Sequence, residues 1–223
     1  DGRVVARRPG MSSTDNEAED YGPAVFAEMV NQHRIKVGIT ARGRIWPALQ
    51  VIRLEHRLRE SDFVLLASQS PAVPLDRAYL VGKALFAGFD GDFAAALHLL
   101  APQLENMVRA RFKGAGLRTT TLDPNGIERE VGLSSLMDHE RSTELLGDDL
   151  AFEFRALFCD PLGPNLRNQV AHGLVDDATC QSDLVCYAWW FTFRLVFNTF
   201  WNARAESDAT EPDQTNEATQ EHE

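Results

Sequence analysis

The sequence predicts an all-α domain carrying one β-hairpin insertion. Apolar residues recur at three- and four-residue spacing through most of the chain. One stretch, LRTTTLDPNGIEREVGL, interrupts that pattern with a β-prone run, a DPNG turn and a second short run. A hydrophobic share of 44% with 25% charged residues is that of an ordinary globular chain, long enough at 223 residues to bury a real core.

The elements follow in order. Residues 1–20 are rich in glycine, serine and charge and read as a disordered N-terminal segment. An N-terminal helical region, 21–89, opens with PAVFAEMVNQH (23–33) and IWPALQVIRLEHRLRE (45–60), both helically periodic. Ser61-Asp62 and Asp76 are expected to cap the helices that follow, with Pro71 and Pro74 breaking the chain between them. Residues 90–113 read as a long central helix in which Leu97, Leu100, Leu104 and Val108 form one stripe. Pro102 within it predicts a bend or a break into two helices. The hairpin is expected around 117–132. Helices resume at 133–138, 148–159, 164–172 and 178–204, and an acidic tail at 205–223 reads as disordered.

Charge and cysteine usage exclude several functions. The net charge is −11, but residues 205–223 carry seven acids and no lysine or arginine, leaving the body only mildly acidic. A broad basic stripe tracking long nucleic acid is therefore not expected, although a local phosphate site is compatible. The three cysteines lack CxxC or zinc-like spacing, so a reducing, cytoplasmic setting is expected. No apolar signal-peptide core stands in the first twenty residues. The stretch LVCYAWWFTFRLVFNTFW (184–201) is apolar enough to raise a membrane span, but Arg194 sits near its middle and its flanks are acidic. A buried core or dimer-interface helix is the better reading, with no membrane partner.

The polar segment GPNLRNQVAHGL (163–174) concentrates the chemistry. Pro164 suits the first turn of a short helix and Gly173 its C-terminal end. Counting about 100° per residue from Arg167, Asn168 falls near 100° and His172 near 140°, with Leu166 and Val170 on the opposite side. Asn168 and His172, four apart, share a face, so Asn168 is placed to bond the imidazole and fix its tautomer. Arg167 on the flank offers a planar fork for phosphate. One guanidinium and one imidazole so far apart do not converge on a single atom, whereas two copies of the helix across a twofold axis would.

Arg167-Asn168, three intervening residues and His172-Gly173 resemble the signature of the HEPN superfamily (higher eukaryotes and prokaryotes nucleotide-binding), and most of all the HEPN-like family defined by an RNxxxHG motif. LAPQLENMVRARF (100–112) with its following hairpin is similar to that family's preceding helix, so the resemblance covers roughly residues 90–200. It implies a HEPN-like antiparallel helical bundle over 90–204 and a homodimeric, metal-independent endoribonuclease, acting in toxin or antiviral defence or in RNA turnover. It assigns Arg167 to the scissile phosphate, His172 to proton transfer at the 2′-hydroxyl or leaving oxygen, and Asn168 to orienting either. The product would carry a 2′,3′-cyclic phosphate. Glu105 and Arg109 resemble an added acid–base pair and are secondary candidates. No cofactor or metal is implied. RNA is the expected substrate, with an antitoxin or regulatory protein as a further partner.

Plainer readings stand beside these. RNQVAHG also suits a surface helix whose histidine sits favourably beside its own C-terminal dipole. Glu105 and Arg109 also suit an exposed i,i+4 ion pair. His139 between Asp138 and Glu140 lacks a second histidine at ligand spacing and reads as a solvated turn. His33, His56 and His98 stand singly in helices, and Cys180 and Cys186 read as packed thiols. The rival function is a non-catalytic HEPN helical module that dimerises or binds a nucleotide or protein partner.

Overall fold

A computed structural model describes residues 6–7 and 22–210. The expected N-terminal segment lies almost wholly outside these residues, as does the acidic tail beyond Thr210. Among the described residues the fold is helical apart from one two-stranded hairpin, as the periodicity predicted.

The first two helices form a single rod: α1 (Gly22–Thr40) passes through a π-helical turn at Ala41–Ile45 into α2 (Trp46–Glu55). Residues 34–44, between the two periodic stretches, are helix as well, because Val30, His33, Val37, Ala41, Ile45 and Leu49 continue one buried face. The rod stops at His56, which is extended, five residues short of the expected end. Asp62 does cap α3 (Glu60–Gln69), from inside the first turn, by accepting from Arg59 N at 2.7 Å. Asp76 makes no cap bond; a 3₁₀ turn at Leu75–Arg77 leads into α4 (Ala78–Asp90), and Asp76 pairs with Arg77 instead. Gly91, at φ 101°, ends α4 in the left-handed conformation that glycine adopts without strain.

The central helix α5 (Phe93–Gly114) runs unbroken through Pro102, so of the bend or break expected there the break does not occur. The proline costs one backbone bond. Buried Phe93, Leu97 and Leu100 before it, and Leu104, Val108 and Phe112 after it, hold both halves in one core. Strands β1 (Thr120–Leu122) and β2 (Glu128–Glu130) pair antiparallel with Thr120 opposite Glu130. The Asp123 carboxylate closes their turn by accepting from Asn125 N and Ile127 N, both at 2.9 Å.

Short helices follow: α6 (Leu133–Met137), α7 (Ser142–Leu146) and α8 (Asp148–Phe154), the last extended by a π-helical turn at Arg155–Cys159. Then come α9 (Leu166–Ala171), α10 (Asp177–Cys180) and α11 (Asp183–Thr210). The sequence missed α7 and merged α10 with α11. Helix α11 also runs six residues into the expected tail. Its first half is buried on Val185, Cys186, Tyr187, Trp189, Phe191 and Val196, packed against α1, α3, α4 and α5. Among the described residues no helix is long and apolar enough to cross a membrane. Arg194 is spent on Glu153 at 2.7 Å and on the face of Trp190 at 4.6 Å.

Two glycines of α4 set the closeness of this packing. A Cβ on Gly88 would lie 2.2 Å from Trp189 Cδ1, and one on Gly82 would lie 2.4 Å from Val64 Cα. Trp189 cannot yield freely because its indole N–H donates to Leu85 O at 2.9 Å. Gly38 of α1, by contrast, has nothing within 4 Å of a Cβ. Gly88→Ala is expected to lower the unfolding free energy by about 2 kcal/mol or more through overpacking. Gly38→Ala should raise it by about 0.5–1 kcal/mol through helix propensity. Chemical denaturation of the two variants checks the opposite signs.

Candidate functional site

The polar motif sits on a helix of six residues rather than nine. Pro164 does not open it; Asn165 takes the N-cap place in a left-handed conformation, φ 48° and ψ 42°, which asparagine tolerates better than most residues. Its amide nitrogen faces the carbonyls of Phe158 and Cys159, 3.2 Å from each, tying the helix start to the π-helical turn. Gly163 completes the fit, since a Cβ there would lie 2.1 Å from Ala156 O. At the other end Gly173, φ 64°, donates to Val170 O and Leu174 N donates to Gln169 O. That is a Schellman end, and the glycine stop is as expected. Leu174 therefore leaves the helix and is exposed, while Leu166 is buried and Val170 packs against the core.

Arg167 turns inward over α5. Its Nε donates to Glu105 Oε2 at 2.6 Å and its Nη1 to Asn168 Oδ1 at 3.1 Å. Glu105 Oε1 accepts from Arg109 Nη2 at 2.6 Å, and that same nitrogen donates to Val131 O at 2.9 Å. Arg109 Nε lies 3.1 Å from Glu130 Oε2, close in charge though its N–H points elsewhere, and Lys113 Nζ donates to Glu130 Oε1 at 2.6 Å. A ladder of alternating charge thus runs from α9 across α5 to the hairpin.

The plainer reading of Glu105 and Arg109 as an exposed pair is overturned. Their side chains are only 12% and 13% exposed, and the carboxylate is shared with Arg167. Burial pushes the Glu105 carboxyl up, but the hydrogen bonds and charges of Arg167 and Arg109 outweigh it and hold it below the usual carboxylate range. Glu105 is therefore a fixed anion near neutral pH, suited to hold an arginine and unsuited to serve as a proton donor.

Asn168 departs from its expected part. Its side chain serves Arg167 and makes no hydrogen bond to the His172 imidazole, because the guanidinium supplies a stronger, charge-assisted donor next door. His172 closes the helix through its backbone N–H to Asn168 O at 3.0 Å and stands exposed, its ring making no hydrogen bond or ion pair among the described residues. Arg167 keeps its second Nη1 hydrogen and both Nη2 hydrogens for an incoming group.

A groove of about 370 Å³ opens beside Arg167, walled by Arg77, His98, Gln103, Glu105 and Arg109, and His172 lies outside its lining. Arg77 and Gln103 escaped notice in the sequence, and His98 read there as ordinary. His98, Glu105 and Arg109 share one face of α5 at seven- and four-residue spacing, the signal that could have grouped them. A larger cavity of about 640 Å³ lies between the Pro71–Pro74 loop, α5 and α7, but its walls are mostly aliphatic and offer little chemistry.

Other candidates resolve as follows. His139 is half-buried, with its ring edge-on to Phe112 at 6.2 Å and Nδ1 accepting from Arg141 N, so it is a packed turn rather than a solvated one. His33 belongs to a polar cluster the sequence did not reveal. Its Nε2 lies 3.6 Å from Glu153, whose two oxygens also accept from Tyr187 Oη and Arg194, each at 2.7 Å. Burial pushes the Cys159 and Cys186 thiols up to about 12, which leaves them protonated near neutral pH. Among the described residues no group of three or more His, Cys, Asp or Glu side chains is placed to hold a metal ion. No protein-family model, no curated protein and no solved structure matches the chain.

Because the folded Glu105 has a lowered pKa, its stabilising contribution is present above the unfolded value and is lost as pH falls through the folded one. Glu105→Gln should cost about 2 kcal/mol near neutral pH, since it strands two guanidiniums against a neutral amide. The gap between the wild-type and Glu105→Gln unfolding curves should close on acidification through the carboxylate range. A gap independent of pH would show that the charge of Glu105 is not what anchors Arg167.

Proposed function

We propose that the chain is a metal-independent endoribonuclease of HEPN type, acting as a homodimer with a composite site. The observation that carries this reading is the state of Arg167. It is fixed on one edge by Glu105 and Asn168, keeps its outer N–H groups unspent, and shares its helix with an exposed histidine. A guanidinium held in this way is preorganised for a phosphate and needs no reorganisation as charge builds on the equatorial oxygens. The ladder from Arg167 to Lys113 sets three cations against two carboxylates, so it retains a positive charge to offer.

In this mechanism His172 takes the proton of a ribose 2′-hydroxyl while the 2′-oxygen attacks the adjoining phosphorus. The bond from phosphorus to the 5′-oxygen breaks, that oxygen leaves with a proton, and a 2′,3′-cyclic phosphate remains. Arg167 stabilises the pentacovalent transition state, and Asn168 acts by holding Arg167. DNA lacks the attacking group and is not cut. In this reading the imidazole that reaches a phosphate on Arg167 is that of the second copy, which the position of His172 beyond the residues walling its own groove supports.

The second reading is a helical module that dimerises or binds a nucleotide or protein partner without cleaving it. It is favoured by the absence of any bond between Asn168 and the imidazole, so that no hydrogen bond among the described residues sets the His172 tautomer. Defence, toxin action or RNA turnover, the cytoplasmic setting and an antitoxin or regulatory partner belong to the first reading as proposals.

Arg167→Ala and His172→Ala should each lower cleavage of single-stranded RNA by about a hundredfold or more. Mixing the two inactive variants should restore about a quarter of wild-type activity, since random exchange of subunits makes half the dimers mixed and gives each one intact composite site. Wild-type RNA left uncut, with no growth defect on expression, would decide for the binding module. Loss of cleavage in both single variants without recovery on mixing would rule out the shared site.

A further inference from the structure

Gln103 is an unfinished interaction. Its side chain lines the groove beside Arg167, the residue is only 9% exposed, and its Oε1 has no hydrogen-bond donor. A buried polar group left in this state costs on the order of 1–3 kcal/mol, so it is retained where something outside the chain completes it. Rotation about χ3 presents either end of the amide to the groove, offering one acceptor and one donor group.

Two neighbours are similarly unspent. The Nε of Arg77 is buried without a directed partner, and its charge is met only by the exposed Asp76 at 3.3 Å. His98 Nδ1 lies 2.8 Å from Ala94 O. A carbonyl can only accept, so the proton is on Nδ1 and Nε2 is the nitrogen left for a ligand. His98 stands seven residues before Glu105 on α5, about 10 Å along the axis, too far for both ends of the groove to serve one phosphate.

We infer that Arg77, His98 and Gln103 form a subsite for a nucleotide unit adjoining the phosphate held by Arg167. The chemistry divides naturally. The Arg77 guanidinium takes a phosphate oxygen, the Gln103 carboxamide takes the hydrogen-bonding edge of a base, and His98 Nε2 accepts from a sugar hydroxyl. The inference takes from the ribonuclease reading only that the ligand carries phosphate. The unit can arrive within an RNA strand or as a free nucleotide, and the chemistry of recognition is the same.

The test is equilibrium binding to the full chain, which does not depend on cleavage. The probes are adenosine 5′-monophosphate, a short single-stranded oligonucleotide with 2′-O-methyl groups that cannot be cut, and inorganic phosphate. Arg77→Met and Gln103→Leu should each weaken binding of the nucleotide or the oligonucleotide about tenfold, and Gln103→Leu should leave inorganic phosphate unaffected. Binding of the monophosphate as tightly as the strand identifies a free nucleotide as ligand, and binding of the strand alone identifies RNA; either supports the subsite. Unchanged binding of both probes in Arg77→Met would overturn it, and that side chain is 41% exposed, so folding is not at stake. Subsite-dependent binding without cleavage by the wild type removes the ribonuclease reading and spares the subsite. Cleavage with no loss in Arg77→Met removes the subsite alone.

Discussion

The arrangement depends on one carboxylate. Glu105 is nearly buried on the central helix, where a lone charge would be expensive to desolvate, and it is tolerated because two guanidiniums share it. That sharing does two things at once. It gives Arg109 a reason to stay against the hairpin, where Val131 O and Glu130 complete its surroundings, and it fixes the outward edge of Arg167. Remove the anion and both arginines become mobile cations repelling one another. The hairpin, which lacks a sheet to belong to, is thereby joined to the helix that carries the motif.

The motif helix is too short to hold itself, since six residues close few internal bonds. Its position comes from what lies under it. Leu166 is buried, Asn165 grips the carbonyls of the π-helical turn, and Gly163 lets the chain pass against Ala156. That turn is in turn held by Arg155, which donates to Met137 O and Ser142 Oγ. On the far side of the same segment Glu153 binds Tyr187 and Arg194 of α11. Burial pushes the Glu153 carboxyl up, and the His33 imidazole at 3.6 Å, the hydrogen bond from Tyr187 and the charge of Arg194 more than reverse it. Glu105 thus holds the motif directly through Arg167, while Glu153 ties α8, which leads into the supporting turn, to α11.

What the sequence made legible was local. Periodicity placed the helices, DPNG the hairpin, and Gly173 the helix stop, because each depends on residues within a few positions. Local rules failed where tertiary contacts overrode them. Pro102 did not break α5 because apolar residues on both sides of it are anchored in one core, and Pro164 yielded the helix start to Asn165 once the π-helical turn supplied partners. The spacing of Glu105 and Arg109 was visible, but their burial was not. The bond from Arg167 to Glu105 spans 62 positions, and no periodicity encodes it. Asn168 was misassigned for the same reason: helical geometry offered it His172, while the fold brought a charged donor closer.

A chain of net charge −11 does not attract polyanions over distance, so any phosphate recognition here must be short-ranged. The groove fits that constraint. Its arginines are few, each is held or half-held by a carboxylate, and the surplus charge is confined to one end of α5. Such a site discriminates by hydrogen-bond geometry more than by charge, because the cations are already partly neutralised and what they have left to give is directional.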